Sequence, residues 1–206
     1  MGIIGIVDYG VGNLRSISGA VRKLGYEPCI SQDPKNLKSA RRLILPGVGA
    51  FGDGMAGLQQ TGMDDFLKEA VLQDGIPILG ICLGAQLLTR GSEEFGWHSG
   101  LNFIEGEVKS LSSFGCSERI PHIGWNEINL FPSSRLLTDV KSGDLVYFVH
   151  SLGMLLDKPE NVKATCSYGF EFVAAFEKEN IHGVQFHPEK SQAIGLKVLG
   201  NFLKDK

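Results

Sequence analysis

Three features of the sequence predict an α/β fold with an open, mostly parallel central sheet flanked by helices and an antiparallel or mixed extension. Apolar runs at residues 3–8 and 76–79 and short strands at 27–31 and 42–45 alternate with helical segments, and this β-α order predicts a parallel sheet with helices on both faces. Beyond Thr89 the texture changes to short strands at 103–111, 124–130, 145–149, 162–168 and 171–178, with one brief helix near 134–137. An apolar strand at 181–186 and a closing helix from about 191, carrying Ile194, Val198, Leu199, Phe202 and Leu203, complete the pattern. The 206 residues are expected to form one domain, residues 1–206.

Each element of the first half has a local reason. The run at 3–8 is nearly continuous in apolar residues, as in a strand covered on both faces. Asn13 stands where an N-cap is needed for a helix bearing Leu14, Ile17, Val21 and Leu24, and Gly25 ends it. Asp33-Pro34 opens a short helix at 34–39. The strand at 42–45 runs into the glycine-rich segment 46–52, read as a loop, and Met63, Phe66, Leu67, Ala70 and Val71 form a helical stripe stopped by Gly75.

Composition excludes several classes. Hydrophobic residues make up 43% and charged residues 21% of the chain, an ordinary globular balance, and the net charge of −3 argues against a nucleic-acid or anionic-membrane role. No apolar run reaches membrane-spanning length, and the first residues lack the basic segment and cleavage site of a signal peptide. Cys29, Cys82, Cys116 and Cys166 show no CxxC spacing, so neither a zinc site nor a redox motif is expected and a reducing cytoplasm fits. Gly10 and Gly12 supply only two glycines of a dinucleotide fingerprint, and the 46–52 loop lacks the lysine and spacing of a P-loop. No cofactor and no metal are expected.

The chemistry centres on Gly80-Ile81-Cys82-Leu83-Gly84. Glycines two positions either side of a nucleophile-capable residue mark a nucleophile elbow, a strained strand-to-helix turn where flanking side chains would clash. A cysteine there sits at a helix N-terminus, whose dipole favours a thiolate. Such a thiol needs a base and a group to orient it. Of His98, His122, His150, His182 and His187, the last is best placed, just past an apolar strand, with Pro188 stiffening the turn and Glu189 in reach of the ring. His182 lies within a strand pattern and His98 in a loop, while His122 and His150 are possible second-site residues. The small residues of the 46–52 loop would let backbone N–H groups approach a substrate oxyanion.

These two motifs, Gly80-Ile81-Cys82-Leu83-Gly84-Ala85-Gln86 and Gly183-Val184-Gln185-Phe186-His187-Pro188-Glu189, together resemble those of the triad (class I) glutamine amidotransferases. Asp8-Tyr9-Gly10, Gly12-Asn13-Leu14, Pro46-Gly47-Val48-Gly49-Ala50-Phe51, Pro121-His122-Ile123-Gly124-Trp125-Asn126 and Tyr147-Phe148-Val149-His150-Ser151 resemble the glutaminase subunits of imidazole glycerol phosphate synthases, over essentially the whole chain. The resemblance implies a Cys82–His187–Glu189 triad that hydrolyses glutamine. It further implies oxyanion donors from the backbone of Leu83, Val48 and Gly49, and substrate contacts from Gln86, Glu94, Ser151 and the backbone of Leu152. It implies a heterodimer with a (β/α)8-barrel cyclase subunit that receives the ammonia and makes imidazole glycerol phosphate and an aminoimidazole carboxamide ribotide in histidine biosynthesis. Family members usually carry an aromatic residue after the His-Ser pair, where this chain has Leu152. Two alternatives stand beside this reading. One is a glutaminase subunit feeding a partner that builds amidino sugars of surface polysaccharides. The other is a stand-alone cysteine hydrolase on the same architecture.

Overall fold

The structure, a computed structural model, describes residues 2–204. Five strands form the parallel part of an eight-stranded sheet: β1 (Ile3–Val7), β2 (Glu27–Ser31), β3 (Arg42–Leu45), β4 (Ile78–Ile81) and, from the far end of the chain, Ile181–Val184. Apolar side chains alternate between its two faces. Val7, Leu43, Leu45 and Ile78 enter one core layer, while Ile4, Ile6, Ile44, Leu79 and Ile81 enter the other. Helix α1 (Leu14–Lys23) covers the second layer through Ile17 and Val21 and ends before Gly25, at φ +86°. Asn13 takes the N-cap position, but its side chain makes no capping hydrogen bond. Asp33 does cap, accepting from Lys35 N–H at 2.9 Å, and the turn it opens is a 3-10 helix over Pro34–Leu37.

The segment read as a loop ending at 52 is shorter, because a helix missing from the sequence reading, α2 (Phe51–Thr61), begins at Phe51. Three glycines, poor helix formers, hide it. They are there for contact: a Cβ on Gly57 would lie 2.3 Å from the Tyr9 carbonyl oxygen, and one on Gly54 3.1 Å from Leu87. The stripe from Met63 divides into α3 (Met63–Leu67) and a π-helical turn over Lys68–Gln73, stopped by Gly75 at φ +70°. The strand expected at 76–79 starts two residues later, after Pro77, and leads into α4 (Leu83–Leu87).

The second half departs from a single extended sheet. The strands there are β5 (Gly91–Ser92), β6 (His98–Ser99), β7 (Gly106–Ser110), β8 (His122–Glu127), β9 (Asn129–Leu130), β10 (Leu145–His150), β11 (Leu152–Leu156), β12 (Val162–Ser167), β13 (Glu171–Lys178) and β14 (Ile181–Val184). Only β14, β13, β12 and β9 join the main sheet, whose order is β2-β1-β3-β4-β14-β13-β12-β9, with the last three antiparallel. The others form a four-stranded sheet, β11-β7-β5-β6, and a two-stranded ribbon, β10-β8. Residues 136–139 are turns rather than a helix; the Glu177 carboxylate holds the entry to them, accepting from Ser134 Oγ and from the N–H groups of Arg135 and Leu136. Helix α5 (Gln192–Leu203) closes the chain over the second core layer. Among the described residues no helix is long and apolar enough to cross a membrane.

Candidate active site

Strands β4 and β14 are parallel neighbours, with Ile81 opposite Val184. Cys82 follows one and the Gln185-Phe186-His187 segment follows the other. Cys82 N–H donates to the Val184 carbonyl at 2.8 Å, locking the two strand exits together. The candidate nucleophile and base therefore emerge side by side at the C-terminal edge of a parallel sheet, where open α/β folds place their ligands.

Cys82 has φ +53° and ψ −112°, a conformation that costs an L-residue of order 1–3 kcal/mol. The elbow glycines are needed for space. A Cβ on Gly84 would sit 1.8 Å from the Leu45 carbonyl oxygen, and one on Gly80 2.5 Å from the Ala85 Cα. Gly47 is pressed as closely, 2.3 Å from the Tyr9 hydroxyl. That buried hydroxyl donates to the Pro46 carbonyl at 2.5 Å, and burial followed by the nearby Cys82 charge pushes its pKa upward. The start of the 46–50 loop is thus buttressed from below, and Gly49 adopts φ +104°.

His187 and Glu189 are buried and joined by a 2.9 Å contact between Nδ1 and Oε1. The carboxylate fixes Nδ1 as the donor and leaves Nε2 for the sulfur. Nε2 closes no hydrogen bond within normal limits. Burial alone would lower the His187 pKa; Cys82 and Glu189 outweigh it and raise it to about 9. The turn is clamped on three sides. His187 N–H donates to the Tyr147 carbonyl at 2.9 Å, Ser191 Oγ donates to the His187 carbonyl at 2.7 Å, and Gly195 of α5 packs so close that a Cβ would lie 1.8 Å from Pro188 O.

In front of Cys82 opens a cavity of about 310 Å³. Val48, Gly49, Cys82, Leu83, Gln86, Glu94, Ser151 and Leu152 all line it, together with Pro121, Val149 and His150. His187 and Glu189 are not part of its wall. Leu83 opens α4, where the first N–H groups lack intrahelical acceptors and the dipole favours an anion. Glu94 accepts from Phe51 N–H at 2.6 Å. The Gln86 amide nitrogen donates to Gln185 Oε1 at 3.0 Å and to the Leu152 carbonyl at 3.2 Å, so its Oε1 is the atom left to meet a ligand. A larger cavity of about 660 Å³, bounded by Arg42, Arg135, His182 and Lys204, lies at the opposite, N-terminal ends of the parallel strands and holds none of these residues.

Sequence reasoning missed Gln185. Its amide nitrogen lies 3.6 Å from Cys82 Sγ while its oxygen accepts from Gln86, joining nucleophile and cavity wall. The available signal was a fully buried amide between apolar Val184 and Phe186, which demands partners. His182 packs edge-on to Phe202 at 5.6 Å, a core histidine whose pKa burial lowers to about 4. His98 lies in β6 against Gly52 of α2.

An elbow cysteine, a buried His-Glu pair and a cavity walled by a glycine loop define a class of protein. The family model described as "Glutamine amidotransferase class-I" matches residues 5–206, and the chain belongs to that family. Two solved structures share the fold: a Thermotoga maritima structure titled "Structure of PurLQS" (TM-score 0.76, 22% identity, covering 98% of each chain), and one titled "Crystal structure of glutamine amidotransferase" (TM-score 0.74, 18% identity, covering 98% of this chain and 97% of that one). The chain's relatives include proteins named imidazole glycerol phosphate synthase subunit HisH. The protein of Geobacter metallireducens is 46% identical over 210 residues, covering all of both chains. That of Geobacillus sp. (strain WCH70) is 48% identical over 203 residues, covering 97% of this chain and 95% of its own.

Proposed function

We propose that the chain is the glutaminase subunit of an imidazole glycerol phosphate synthase, hydrolysing glutamine at Cys82 and passing the ammonia to a (β/α)8-barrel cyclase subunit in the cytoplasm. Full-length relatives at 46% and 48% identity support this partner over one that builds amidino sugars. The observation that carries the chemistry is the strained Cys82 elbow beside the buried His187–Glu189 pair.

His187 takes the thiol proton of Cys82 as general base, and the nearby Cys82 and Glu189 favour the protonated ring, raising its pKa to about 9. Cys82 Sγ adds to the side-chain amide carbon of glutamine. The backbone N–H of Leu83 and those of the Val48-Gly49 loop take the negative oxygen, each worth about 3 kcal/mol in comparable sites. As the tetrahedral adduct collapses, the C–N bond breaks and His187 gives its proton to the leaving nitrogen, releasing ammonia. Water then attacks the γ-glutamyl thioester with His187 as base, and glutamate leaves as the sulfur is freed. Glu189 keeps the ring oriented and balances its charge through both steps. Gln86, Glu94, Ser151 and the Leu152 backbone hold the amino-acid end of glutamine.

The partner is assigned to the outward face of the β8-β10 ribbon. Ile123, Trp125 and Leu145 are 60%, 45% and 50% exposed there, a cluster of large apolar groups on one sheet face. The same ribbon reaches the site, since the Val149 carbonyl lies 3.8 Å from Cys82 Sγ. Ammonia released at Cys82 would thus form next to the docked subunit.

The decisive experiment replaces Cys82 with alanine or serine in the assembled complex. Glutamine hydrolysis is expected to disappear while the cyclase subunit still binds and still uses free ammonia. Hydrolysis that persists in either variant overturns the mechanism.

A further inference from the structure

His122 and His150 lie beside the cavity, both buried, and the mechanism above uses neither. His150 Nδ1 is 2.7 Å from the Leu152 carbonyl, His122 Nδ1 is 3.0 Å from His150 Nε2, and Asn126 Nδ2 is 3.4 Å from His122 Nε2. The rings sit in an aromatic box: Tyr168 stacks on His122 at 4.0 Å, Phe148 at 4.9 Å, and Phe172 meets both histidines.

The direction of this chain of hydrogen bonds follows from its end. A carbonyl oxygen only accepts, so His150 must carry its proton on Nδ1. Burial lowers the pKa of His150 to about 3 and that of His122 to about 4, so both rings are neutral at physiological pH and each has one donor and one acceptor. His150 Nε2 is therefore an acceptor, and His122 must also carry its proton on Nδ1. His122 Nε2 is left to accept from Asn126. The titratable neighbours are Tyr168, against His122, and His187, whose charge further disfavours protonation of His150.

The carbonyl so held belongs to a cavity residue. Leu111 N–H donates to the Ser151 carbonyl, which puts Leu152 at a non-hydrogen-bonded position of the β7-β11 ladder. Its N–H and C=O both turn away from β7. The C=O is occupied twice, by His150 and by Gln86 Nε2 at 3.2 Å, leaving the N–H to face a ligand. We propose that His122 and His150 are positioning residues: a neutral, one-directional pair that holds Leu152 by its carbonyl so that the N–H of the same residue receives the carboxylate of glutamine. This deepens the reading of the cavity as a glutamine site and rests on it.

Nitrogen-15 NMR of histidine-labelled chain tests the pair directly. Both rings are expected as Nδ1–H tautomers from pH 6 to 8, with a scalar coupling across the His122 Nδ1 to His150 Nε2 bond. A proton on Nε2 of either ring, or titration of either within that range, overturns the proposal. Kinetics of the assembled complex then test its consequence. His122→Leu removes the donor and is expected to raise KM for glutamine about tenfold, with kcat within about threefold. His122→Asn sets an amide nitrogen near the place of Nδ1 and is expected to restore most of that loss. An unchanged KM in His122→Leu, or an equal fall of kcat in both variants, overturns the proposal. Should the leucine variant fail to fold, the tautomers of the unsubstituted chain decide alone. Persistent hydrolysis in Cys82→Ala would instead refute the catalytic reading, leaving the tautomer result interpretable by itself.

Discussion

The carboxylate of Glu94 accepts a hydrogen bond from the backbone N–H of Phe51 at 2.6 Å, across a separation of 43 residues. Phe51 is the first residue of α2, so Glu94 caps that helix from a distant loop and ties one wall of the cavity to the end of the Val48-Gly49 segment. Glu94→Ala should cost about 1 kcal/mol through the lost cap. For a chain of this size that is a fall in melting temperature of about 2–4 °C. Calorimetry measures the fall, and a rise in KM for glutamine in the assembled complex should accompany it.

Cys82→Gly should separate strain from function. Glycine accepts φ +53° freely, so the variant is expected to gain up to about 1–2 kcal/mol, less its own entropy cost, while losing all glutamine hydrolysis. Urea denaturation of this variant beside Cys82→Ala, which keeps the strain, isolates the backbone effect. Equal stabilities would show that the elbow stores none.

Gly84→Ala carries the opposite expectation. The added methyl would fall 1.8 Å from the Leu45 carbonyl oxygen, backbone against backbone, with no flexible side chain to yield. A loss of about 3 kcal/mol or more is expected, read as loss of soluble, cooperatively melting protein.

The pKa of His187 in the fold, about 9, lies above the ordinary histidine value, so the folded state binds this proton more tightly than the unfolded chain. Its contribution to stability is full below about pH 6.5 and is lost as pH rises through about 9. Glu189→Gln removes a carboxylate that holds the proton. It should flatten the decline of stability between pH 6.5 and 9 and lower kcat by orders of magnitude, as loss of an orienting carboxylate does in related triads. Thermal melts across that range, with and without the substitution, measure the difference.

Trp125→Ala should leave the fold and the cavity intact, because the indole is half-exposed on the ribbon's outer face. A central aromatic of an interface typically contributes 2 kcal/mol or more, so affinity for the cyclase subunit should fall about thirtyfold or more. Titration calorimetry of the two subunits measures it.

The parts of this architecture that announce themselves in the sequence are local. The strands at 27–31, 42–45 and 171–178 have the bounds the sequence suggests: the latter two are paired on both sides within the main sheet, and 27–31 pairs along its whole length with β1 at the sheet's edge. The side-by-side placement of Cys82 and His187 follows from reading two strand ends. What escapes is set by distant packing. Helix α2 is invisible because Gly54 and Gly57 answer to Leu87 and Tyr9 rather than to helix propensity. β5 and β6 have two residues each, too few for a periodicity, and exist through pairing with each other and with β7. The Gln185–Gln86–Leu152 connection joins three separate segments and has no local signature at all.

All four cysteines of the chain are free, and they differ in access: Cys82 and Cys166 are buried, Cys29 and Cys116 partly open. Chemical labelling of this molecule therefore divides by reagent shape rather than by thiol count. A small, general electrophile would modify Cys29 and Cys116 first and report little about turnover. A glutamine-like electrophile, drawn into the cavity by its amino-acid end, would mark Cys82 alone. Replacing Cys29 and Cys116 with serine would turn the chain into a single-site probe whose labelling rate reads out how often the cavity is competent.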